Sequence, residues 1–395
     1  MTFCDTLPEP PASPGPAATP AEPARTLDLP EGVPPLRAFY LYLTSTCNLR
    51  CRHCWIAPEH AGGTPVPGTY IDLDLLRDAI HEAKTLGLGC AKLTGGEPMH
   101  HPQFREIAAM LTEEGISFNM ETNGTLMTPE LAQFLKKETK CWFASVSIDS
   151  SVAKEHDAFR GVKGAYDAAL HGLDCLVAAG YDNCQVIMTI HRKNRHQMQD
   201  VIDLAVQHKA RSVKFNPVTK TGRGIEMHEK GETIGFDEYL DLARYVNEEL
   251  RPKAKVELFM SMPPALTPFN ELWRTKGKAC DCGVIGILGI IGTGEIALCG
   301  IGQTIPELVY GKLGETSIRD IWLNNPVIQG LRKDLADVAN YPGICGNCIH
   351  ARTCRTGCVA NNYGYGGKLV SPPWLCDEAA RRGVFPESRM RTGTG

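Results

Sequence analysis

The sequence predicts an α/β protein that ends in a cysteine-rich segment, and two patterns lead to this prediction. From about residue 37 to 216, short apolar strand candidates alternate with amphipathic helix candidates. Strands and helices that alternate with short connections are typical of a parallel sheet, either open or curled into a barrel. From about residue 280, glycine-rich strands give way to a cysteine-dense tail. This tail has too little apolar core to fold alone, so we expect bound metal to stabilise it.

Short apolar runs mark the strands. The six candidates of the alternating region are Phe39–Leu43, Ala91–Leu93, Phe118–Glu121, Trp142–Ile148, Gln185–Ile190 and Ser212–Phe215. Lys255–Met260 is a further candidate, and Gly283–Ile291 and Glu295–Leu298 follow in the C-terminal part. Because the character of the sequence changes near residue 278, we expect one domain over 36–278, a second over 279–385 and a flexible C-terminus over 386–395.

Apolar residues at helical spacing, together with start and stop signals, mark the helices. Around 102–113, Phe104, Ile107, Ala108 and Leu111 share one face. Another helix begins with Thr128 as its N-cap and Pro129 as its first residue. The predicted helices thus cover 72–86, 102–113, 236–249 and a single helix near 317–334, together with the one that begins at Pro129. The first of them ends at Gly87.

The composition excludes several classes of protein. The chain has 395 residues, 43% of them hydrophobic and 22% charged, with a net charge of −4, which is ordinary for a soluble globular protein and indicates neither a nucleic-acid nor a membrane partner. Sixteen cysteines would suggest a disulfide scaffold only in a short secreted chain. We expect that the N-terminus carries no export signal and that the protein therefore resides in the reducing cytoplasm. Residues 1–35 contain ten prolines and are expected to form a disordered tail, in which no peptide-binding module could fold.

Three cysteines lie within eight residues, as Cys47-x3-Cys51-x2-Cys54, directly after the first strand candidate. Three thiolates can bind three irons of a cubane and leave the fourth iron open for chemistry, whereas a structural metal site closes its shell. Three nearby cysteines alone leave a zinc site or chance clustering open.

Polar motifs close the next three strand candidates: Thr94-Gly95-Gly96-Glu97-Pro98, Glu121-Thr122-Asn123-Gly124 and Ser147-Ile148-Asp149. Glycines allow close approach of the backbone, and Glu97 offers an acceptor for an ammonium group. The carboxyl ends of barrel strands are where such folds build active sites. Each motif alone is more often a plain turn or cap, but together with the cysteines they predict a metalloenzyme.

The run from Cys47 to Cys54, followed by Gly95–Pro98, resembles the radical S-adenosylmethionine (SAM) enzymes over about residues 38–220. The resemblance implies a partial (β/α)6 TIM-like barrel and an oxidoreductase with a [4Fe–4S] cluster on Cys47, Cys51 and Cys54. SAM would chelate the open iron and give a 5′-deoxyadenosyl radical that abstracts a hydrogen atom. The SAM contacts that it implies are His53 near the adenine, Gly95, Gly96 and Glu97 at the amino group, Ser147, Asp149 and Arg160 near the ribose and carboxylate, and Asn123.

The C-terminal cysteines form the order Cys282-x11-Gly294-x4-Cys299, then Cys345-x2-Cys348-x5-Cys354-x3-Cys358, then Cys376. In isolation, the four from Cys345 to Cys358 would indicate a zinc ribbon. Beside the first three cysteines, the order resembles the SPASM extension of radical SAM enzymes, which implies two auxiliary [4Fe–4S] clusters. By that resemblance Cys345, Cys348, Cys354 and Cys376 would hold one cluster, and Cys299, Cys358, Cys282 and Cys280 the other.

Proteins with this extension mostly modify peptides or proteins, and one branch alters tetrapyrrole side chains. Sulfatase maturases carry an aspartate after the Gly-x4-Cys cysteine, where this chain has Gly300, so sulfatase oxidation is disfavoured. The leading hypothesis is a maturase that crosslinks or oxidises a peptide or protein side chain. The alternatives are a tetrapyrrole-modifying enzyme and a non-catalytic electron-transfer protein. The expected partners are the peptide or protein substrate, an electron donor such as flavodoxin or ferredoxin, and a separate leader-binding protein.

Overall fold

The computed structural model describes residues 27–62, 66, 68–274 and 285–391. Most described strands form one sheet in the order β12-β11-β10-β1-β4-β5-β6-β7-β8-β9, while β2 and β3 pair separately. The strands are β1 Ala38–Tyr42, β2 Thr46–Cys47, β3 Glu59–His60, β4 Cys90–Thr94, β5 Ser117–Thr122, β6 Cys141–Ser147, β7 Gln185–Ile190, β8 Ser212–Pro217, β9 Glu257–Met260, β10 Ile287–Ile290, β11 Glu295–Ala297 and β12 Val309–Lys312.

The strands from β10 through β1 to β9 are parallel, and β11 and β12 are antiparallel. The helices of the described residues are α1 Leu73–Lys84, α2 Phe104–Glu113, α3 Pro129–Glu138, α4 Ala153–Arg160, α5 Ala165–Ala178, α6 Met198–Gln207, α7 Gly224–Glu229, α8 Phe236–Tyr245, α9 Phe269–Arg274, α10 Ile318–Asn324, α11 Pro326–Ala336, α12 Ala351–Cys354, α13 Val359–Gly366 and α14 Trp374–Arg381. None of them combines the length and apolar composition that crossing a membrane requires.

Alternation along each strand separates a core face from an inner face. On β1, Phe39 and Leu41 are fully buried in the main hydrophobic core, whereas Tyr40 and Tyr42 point to the other side and line a cavity. Asn216 of β8 lines the same cavity, although β8 lies five strands from β1 in the sheet. The sheet is therefore curled, which confirms the predicted α/β fold with a partial barrel.

The six predicted barrel strands are confirmed, with ends within two residues of the prediction. The α3 start is also confirmed, because Thr128 Oγ1 accepts a hydrogen bond from Leu131 N at 3.2 Å and Pro129 is the first helical residue. The single helix predicted near 317–334 is wrong. Asn325 ends α10 in an extended conformation, and its Oδ1 accepts from Val327 N and Ile328 N to begin α11. The following Pro326 suits a first turn but not a helix interior.

The C-terminal part is joined to the barrel by backbone hydrogen bonds. Strand β10 pairs in parallel with β1, with Ala38 opposite Ile287 and Leu41 opposite Ile290. The sheet thus continues across the segment 275–284, which contains the predicted domain boundary and lies outside the described residues. Of the predicted disordered tail, 1–26 lies outside the described residues as well. In the described part, Pro34 O accepts a hydrogen bond from Trp322 Nε1 at 2.8 Å.

Candidate functional site

A cavity of about 530 Å³ opens at the carboxyl ends of the parallel strands. It brings together most of the site residues that the sequence predicts. Those lining it are Cys47, Cys51, His53, Cys54, Gly95, Gly96, Glu97, Asn123, Ser147, Arg160, Cys299 and Cys358. Asp149 is the exception among the predicted SAM contacts in the described residues: it is 1% exposed and lies behind Arg160, against the guanidinium.

The loop that carries the first three cysteines is held by backbone hydrogen bonds to the end of α4. Arg50 N donates to Arg160 O at 2.9 Å, and Arg52 N donates to Phe159 O at 3.0 Å. Gly161 makes this contact possible, because a Cβ there would lie 2.7 Å from Arg50 O. The loop and the helix end therefore form one unit.

The three thiols are free and face one cavity. Burial, with the nearby Glu97 carboxylate, raises the pKa of Cys47 well above its ordinary value, and burial raises that of Cys51 against the opposing effect of Arg160. Such surroundings favour a thiolate only when a metal is bound. Among the described residues, no three His, Cys, Asp or Glu side chains are placed to hold a single metal ion. A cubane, which binds each thiolate through a different iron, suits this donor set better than one zinc ion.

Gly95 and Gly96 pack against the chain that leads into the cysteine loop. A Cβ on Gly96 would lie 1.6 Å from Thr46 O, and one on Gly95 would lie 2.9 Å from the carbonyl carbon of Tyr42. Gly95 also has a φ of 124°, which favours glycine. Gly96 N donates to Thr44 O at 3.0 Å. The two glycines thus set the position of Cys47 by close backbone contact.

Glu97 joins the end of β4 to the end of β5. Its carboxylate accepts from Thr122 Oγ1 at 2.7 Å and from Asn123 N at 2.8 Å, and the residue is fully buried. Burial raises its pKa to about 7, against the lowering effect of these hydrogen bonds. Asn123 in turn donates from Nδ2 to Asn48 Oδ1 at 2.9 Å, inside the cysteine loop. These contacts fix the loop relative to two strand ends.

His53 is part of a stack of three rings. Its ring centroid lies 4.4 Å from that of Phe159, and Phe159 lies 4.4 Å from His191. Burial lowers the pKa of His53 to about 3, so its imidazole is neutral. Its Nδ1 is buried without a hydrogen-bond partner. A neutral ring with an unused polar atom at the cavity wall is suited to contact a heteroaromatic base.

Arg160 and Asp149 form a buried ion pair beside the cysteine loop. Arg160 Nε lies 2.5 Å from Asp149 Oδ2, and Arg160 Nη1 donates to Cys51 Sγ at 3.6 Å. Burial alone would raise the pKa of Asp149, but the adjacent guanidinium lowers it to about 2. Both groups are therefore charged across the physiological range.

The C-terminal cysteines lie in two places. Cys345, Cys348, Cys354 and Cys376 line a second, small cavity together with Ala265 and other apolar residues. Cys299 and Cys358 line the large cavity, where burial and the neighbouring Cys358 raise the pKa of Cys299 to about 12. Cys280 and Cys282 lie outside the described residues.

Sequence reasoning missed several lining residues. Lys92 Nζ lies 2.7 Å from Glu121 Oε1 inside the barrel, and both residues line the cavity. Tyr42 lies between the two cysteine groups: its ring meets Trp55, next to Cys54, edge-on with centroids 6.0 Å apart. A Cβ on Gly300, next to Cys299, would lie 2.3 Å from Tyr42 Cε1, so the tyrosine fills the space of a side chain there. Tyr42, Lys92 and Glu121 all occupy inner-face positions, but strand alternation alone separates two faces without indicating which of them is the inner one.

Comparisons with known proteins agree with this geometry. Residues 41–205 match the model of the Radical SAM superfamily. The AdoMet-dependent heme synthase of Methanosarcina barkeri is 29% identical, over 85% of this chain and 94% of that protein. The mycofactocin maturase MftC of Mycobacterium tuberculosis is 26% identical, over 85% and 81%. The structure of Streptococcus suis SuiB bound to its precursor peptide SuiA has the same fold, with a TM-score of 0.65 and 16% identity over 86% of this chain and 75% of that one.

Proposed function

This chain is a radical SAM enzyme, and we propose that it is a maturase that crosslinks or oxidises a side chain of a peptide or protein. One observation carries the proposal. A single cavity extends from the Cys47, Cys51 and Cys54 loop to Cys299 and Cys358, and it is open to the outside. A substrate side chain that entered this cavity could reach both cysteine groups. Names of similar proteins, such as mycofactocin maturase and the SuiB–SuiA complex, are consistent with a peptide substrate.

Cys47, Cys51 and Cys54 would hold a [4Fe–4S] cluster, with SAM contacts from His53, Gly95, Gly96, Glu97, Asn123, Ser147 and Arg160, and Asp149 supporting Arg160. With SAM bound, this cluster would supply the radical chemistry that removes a hydrogen atom from the substrate. The protein must keep stray hydrogen donors away from this space. Tyr42 and Trp55 form part of the wall of this space, where their rings meet edge-on. His53, stacked on Phe159, forms another part of it.

The C-terminal cysteines would hold two auxiliary [4Fe–4S] clusters. Cys345, Cys348, Cys354 and Cys376 surround one small apolar cavity, which supports their assignment to one cluster. Cys299 and Cys358 would share the second cluster with Cys282 and Cys280. Because the second group adjoins the substrate space, its cluster could accept the one electron that the substrate radical gives up when the crosslink forms and a proton is lost. Clusters of this kind require a reducing compartment and an electron donor, for which we propose the cytoplasm and a flavodoxin or ferredoxin.

A tetrapyrrole substrate is the second candidate, favoured by similarity to proteins named AdoMet-dependent heme synthase over 94% of the Methanosarcina barkeri protein. Haem precursors carry several carboxylates, which need several cationic partners. Two of the three Lys and Arg side chains on the described lining are paired with carboxylates. Lys92 pairs with Glu121 and Arg160 with Asp149, whereas Arg223 donates only to the carbonyl oxygens of Cys51 and Pro58 and keeps a buried Nη2 without a partner. This arrangement favours a substrate with little negative charge.

Mass spectrometry of peptides encoded beside this chain, co-expressed with it, tests the proposal. We expect one peptide to lose hydrogen, seen as a lower mass for each crosslink that forms. The matched control is the chain with Cys47→Ala, Cys51→Ala and Cys54→Ala, which should leave the peptide unchanged. An unaltered mass for every candidate, with and without a separately encoded leader-binding protein, would contradict a peptide maturase. Turnover of a haem precursor with SAM and dithionite would instead support the second candidate.

A further inference from the structure

We propose that Arg160 sets the reduction potential of the cluster at Cys47, Cys51 and Cys54 by donating a hydrogen bond to the Cys51 sulfur. The inference rests on the proposed cluster and concerns a residue for which the family resemblance implies only a SAM contact. Arg160 Nη1 points to Cys51 Sγ at 3.6 Å, while its Nε is engaged by Asp149. Two nitrogens of the guanidinium are therefore already directed at the protein, and one of them meets a cluster ligand.

The guanidinium is fixed in this orientation. Its side chain is 8% exposed and its partner Asp149 is 1% exposed. Asp149 is itself held at the end of β7, where its Oδ1 accepts from Thr189 N at 2.8 Å. Asn194 Nδ2 donates to the Asp149 carbonyl oxygen, also at 2.8 Å. A buried ion pair that is held by these hydrogen bonds keeps its geometry when the cluster changes charge.

The distance between Arg160 and Cys51 is also fixed through the backbone. The hydrogen bonds from Arg50 N to Arg160 O and from Arg52 N to Phe159 O tie the cysteine loop to the last two residues of α4, one of which is Arg160 itself. Because Gly161 lets the helix end approach Arg50 so closely, the loop cannot move away without breaking both bonds. Arg160 is therefore a positioning residue for the cluster through side chain and main chain together.

The physical consequence concerns the electron that the cluster accepts. Reduction transfers one electron from an external donor to the cluster and makes the cluster more negative by one charge, with no bond formed or broken. A buried cation and an N–H donor at a ligating sulfur stabilise the more negative form, which raises the reduction potential. Losing them should make the cluster harder to reduce. A low-potential electron donor could then reduce the cluster in a smaller fraction of the enzyme molecules.

Redox titration of the holoenzyme, followed by the electron paramagnetic resonance signal that changes when SAM is added, measures this potential. The double variant Arg160→Gln with Asp149→Asn removes the ion pair without changing the net charge. We expect it to lower the equilibrium constant for reduction of the cluster about tenfold, which corresponds to a reduction potential lower by about 59 mV for one electron. Arg160→Lys keeps the charge but not the fork of donors, so its shift should be smaller. Arg52→Gln is the matched control, because Arg52 lies in the same loop but pairs with Glu232 at 2.7 Å, 40% exposed.

Three results would overturn the inference. The first is that the cluster has the same reduction potential in both Arg160 variants as in Arg52→Gln. The second is failure of both variants to assemble the cluster while Arg52→Gln assembles it, which would make Arg160 purely structural. The third is a raised potential in the double variant. A wild-type protein without any SAM-responsive signal would contradict the proposed cluster itself, and so is distinguishable from failure of the Arg160 role.

Discussion

Gly96 has no room for a side chain, because a Cβ there would lie 1.6 Å from the carbonyl oxygen of Thr46. We expect Gly96→Ala to push residues 46 and 47 outward and to displace Cys47 from the other two cysteines. Overpacking of this kind costs about 1–3 kcal/mol or more of folding free energy. The larger effect should be on the cluster, with most of its iron lost after reconstitution, measured as iron per chain.

Gly330→Ala is the matched control for this change. Gly330 lies in α11 and has nothing within 4 Å of its Cβ position. Alanine is favoured over glycine in a helix by about 1 kcal/mol, so this variant should be slightly more stable and keep its iron. If Gly96→Ala retained full iron content, close backbone contact would not be what positions Cys47.

His156 predicts a pH dependence of stability. It is 1% exposed, its Nδ1 accepts a hydrogen bond from Asp149 N at 3.2 Å, and burial lowers its pKa to about 4. Below the ordinary pKa near 6.5, the unfolded chain binds a proton that the folded chain does not. Stability from this residue is thus fully present above pH 6.5 and is lost as the pH falls towards 4, by about 2 kcal/mol at pH 5.

Asparagine at position 156 provides the comparison, because its amide oxygen can replace Nδ1 as acceptor but does not titrate. Denaturant unfolding of wild type and His156→Asn at pH 7 and pH 5 should therefore give a smaller loss of unfolding free energy for the variant. Equal losses in the two proteins would assign the acid sensitivity to other groups.

The residues that line the site show how much could be predicted from sequence at the scale of single residues. The three motifs at strand ends were readable, because the strand ends themselves were readable. Lys92 and its ion pair with Glu121 were not, although both residues lie on an alternating strand pattern. Which face of a strand points into the barrel depends on how the sheet curls, and a single strand carries no information about that. Glu97 was assigned to an ammonium group, yet its carboxylate also joins two strand ends.

At the scale of elements, pairing between β1 and β10 links the two parts of the chain. Both strands could be predicted from sequence, but their pairing could not, because contacts between residues about 250 positions apart leave no local pattern. Strand β12, Val309–Lys312, was missed because it is short and only partly buried. The break between α10 and α11 was missed although Asn325-Pro326 is a readable signal for a helix start.

This pairing predicts the behaviour of a chain that ends at residue 278, the expected domain boundary. Without β10, the apolar strand β1 becomes an edge with unpaired N–H and C=O groups, and exposed apolar edges favour aggregation. We expect the truncated protein to be insoluble or to unfold at a markedly lower temperature than the full chain, measured by soluble yield and thermal unfolding. The full chain with Cys345→Ala and Cys348→Ala separates the causes, because it keeps β10 but removes two predicted cluster ligands. A soluble, cooperatively folded truncated chain would instead support an independent barrel domain.

At the scale of the whole molecule, three groups of cysteines are distributed over two cavities, and this arrangement predicts a metal content. Cys47, Cys51 and Cys54 face the large cavity together with Cys299 and Cys358, while four other cysteines surround the small one. If each group holds one cubane, reconstituted wild-type protein should contain about 12 irons per chain. Replacing Cys47, Cys51 and Cys54 together by alanine should lower this to about eight.

The control for that experiment replaces three other cysteines, Cys141, Cys175 and Cys184, which are buried outside these groups. Buried free cysteines behave as small apolar side chains, so their replacement by alanine should leave the iron content near that of wild type. Iron and acid-labile sulfide are measured side by side, since a cubane contains equal numbers of both. A wild-type content near four irons would contradict both auxiliary clusters and leave only the radical-generating one. A content near eight would leave one of them, and the spectrum of a Cys345→Ala variant would then identify which cavity is filled.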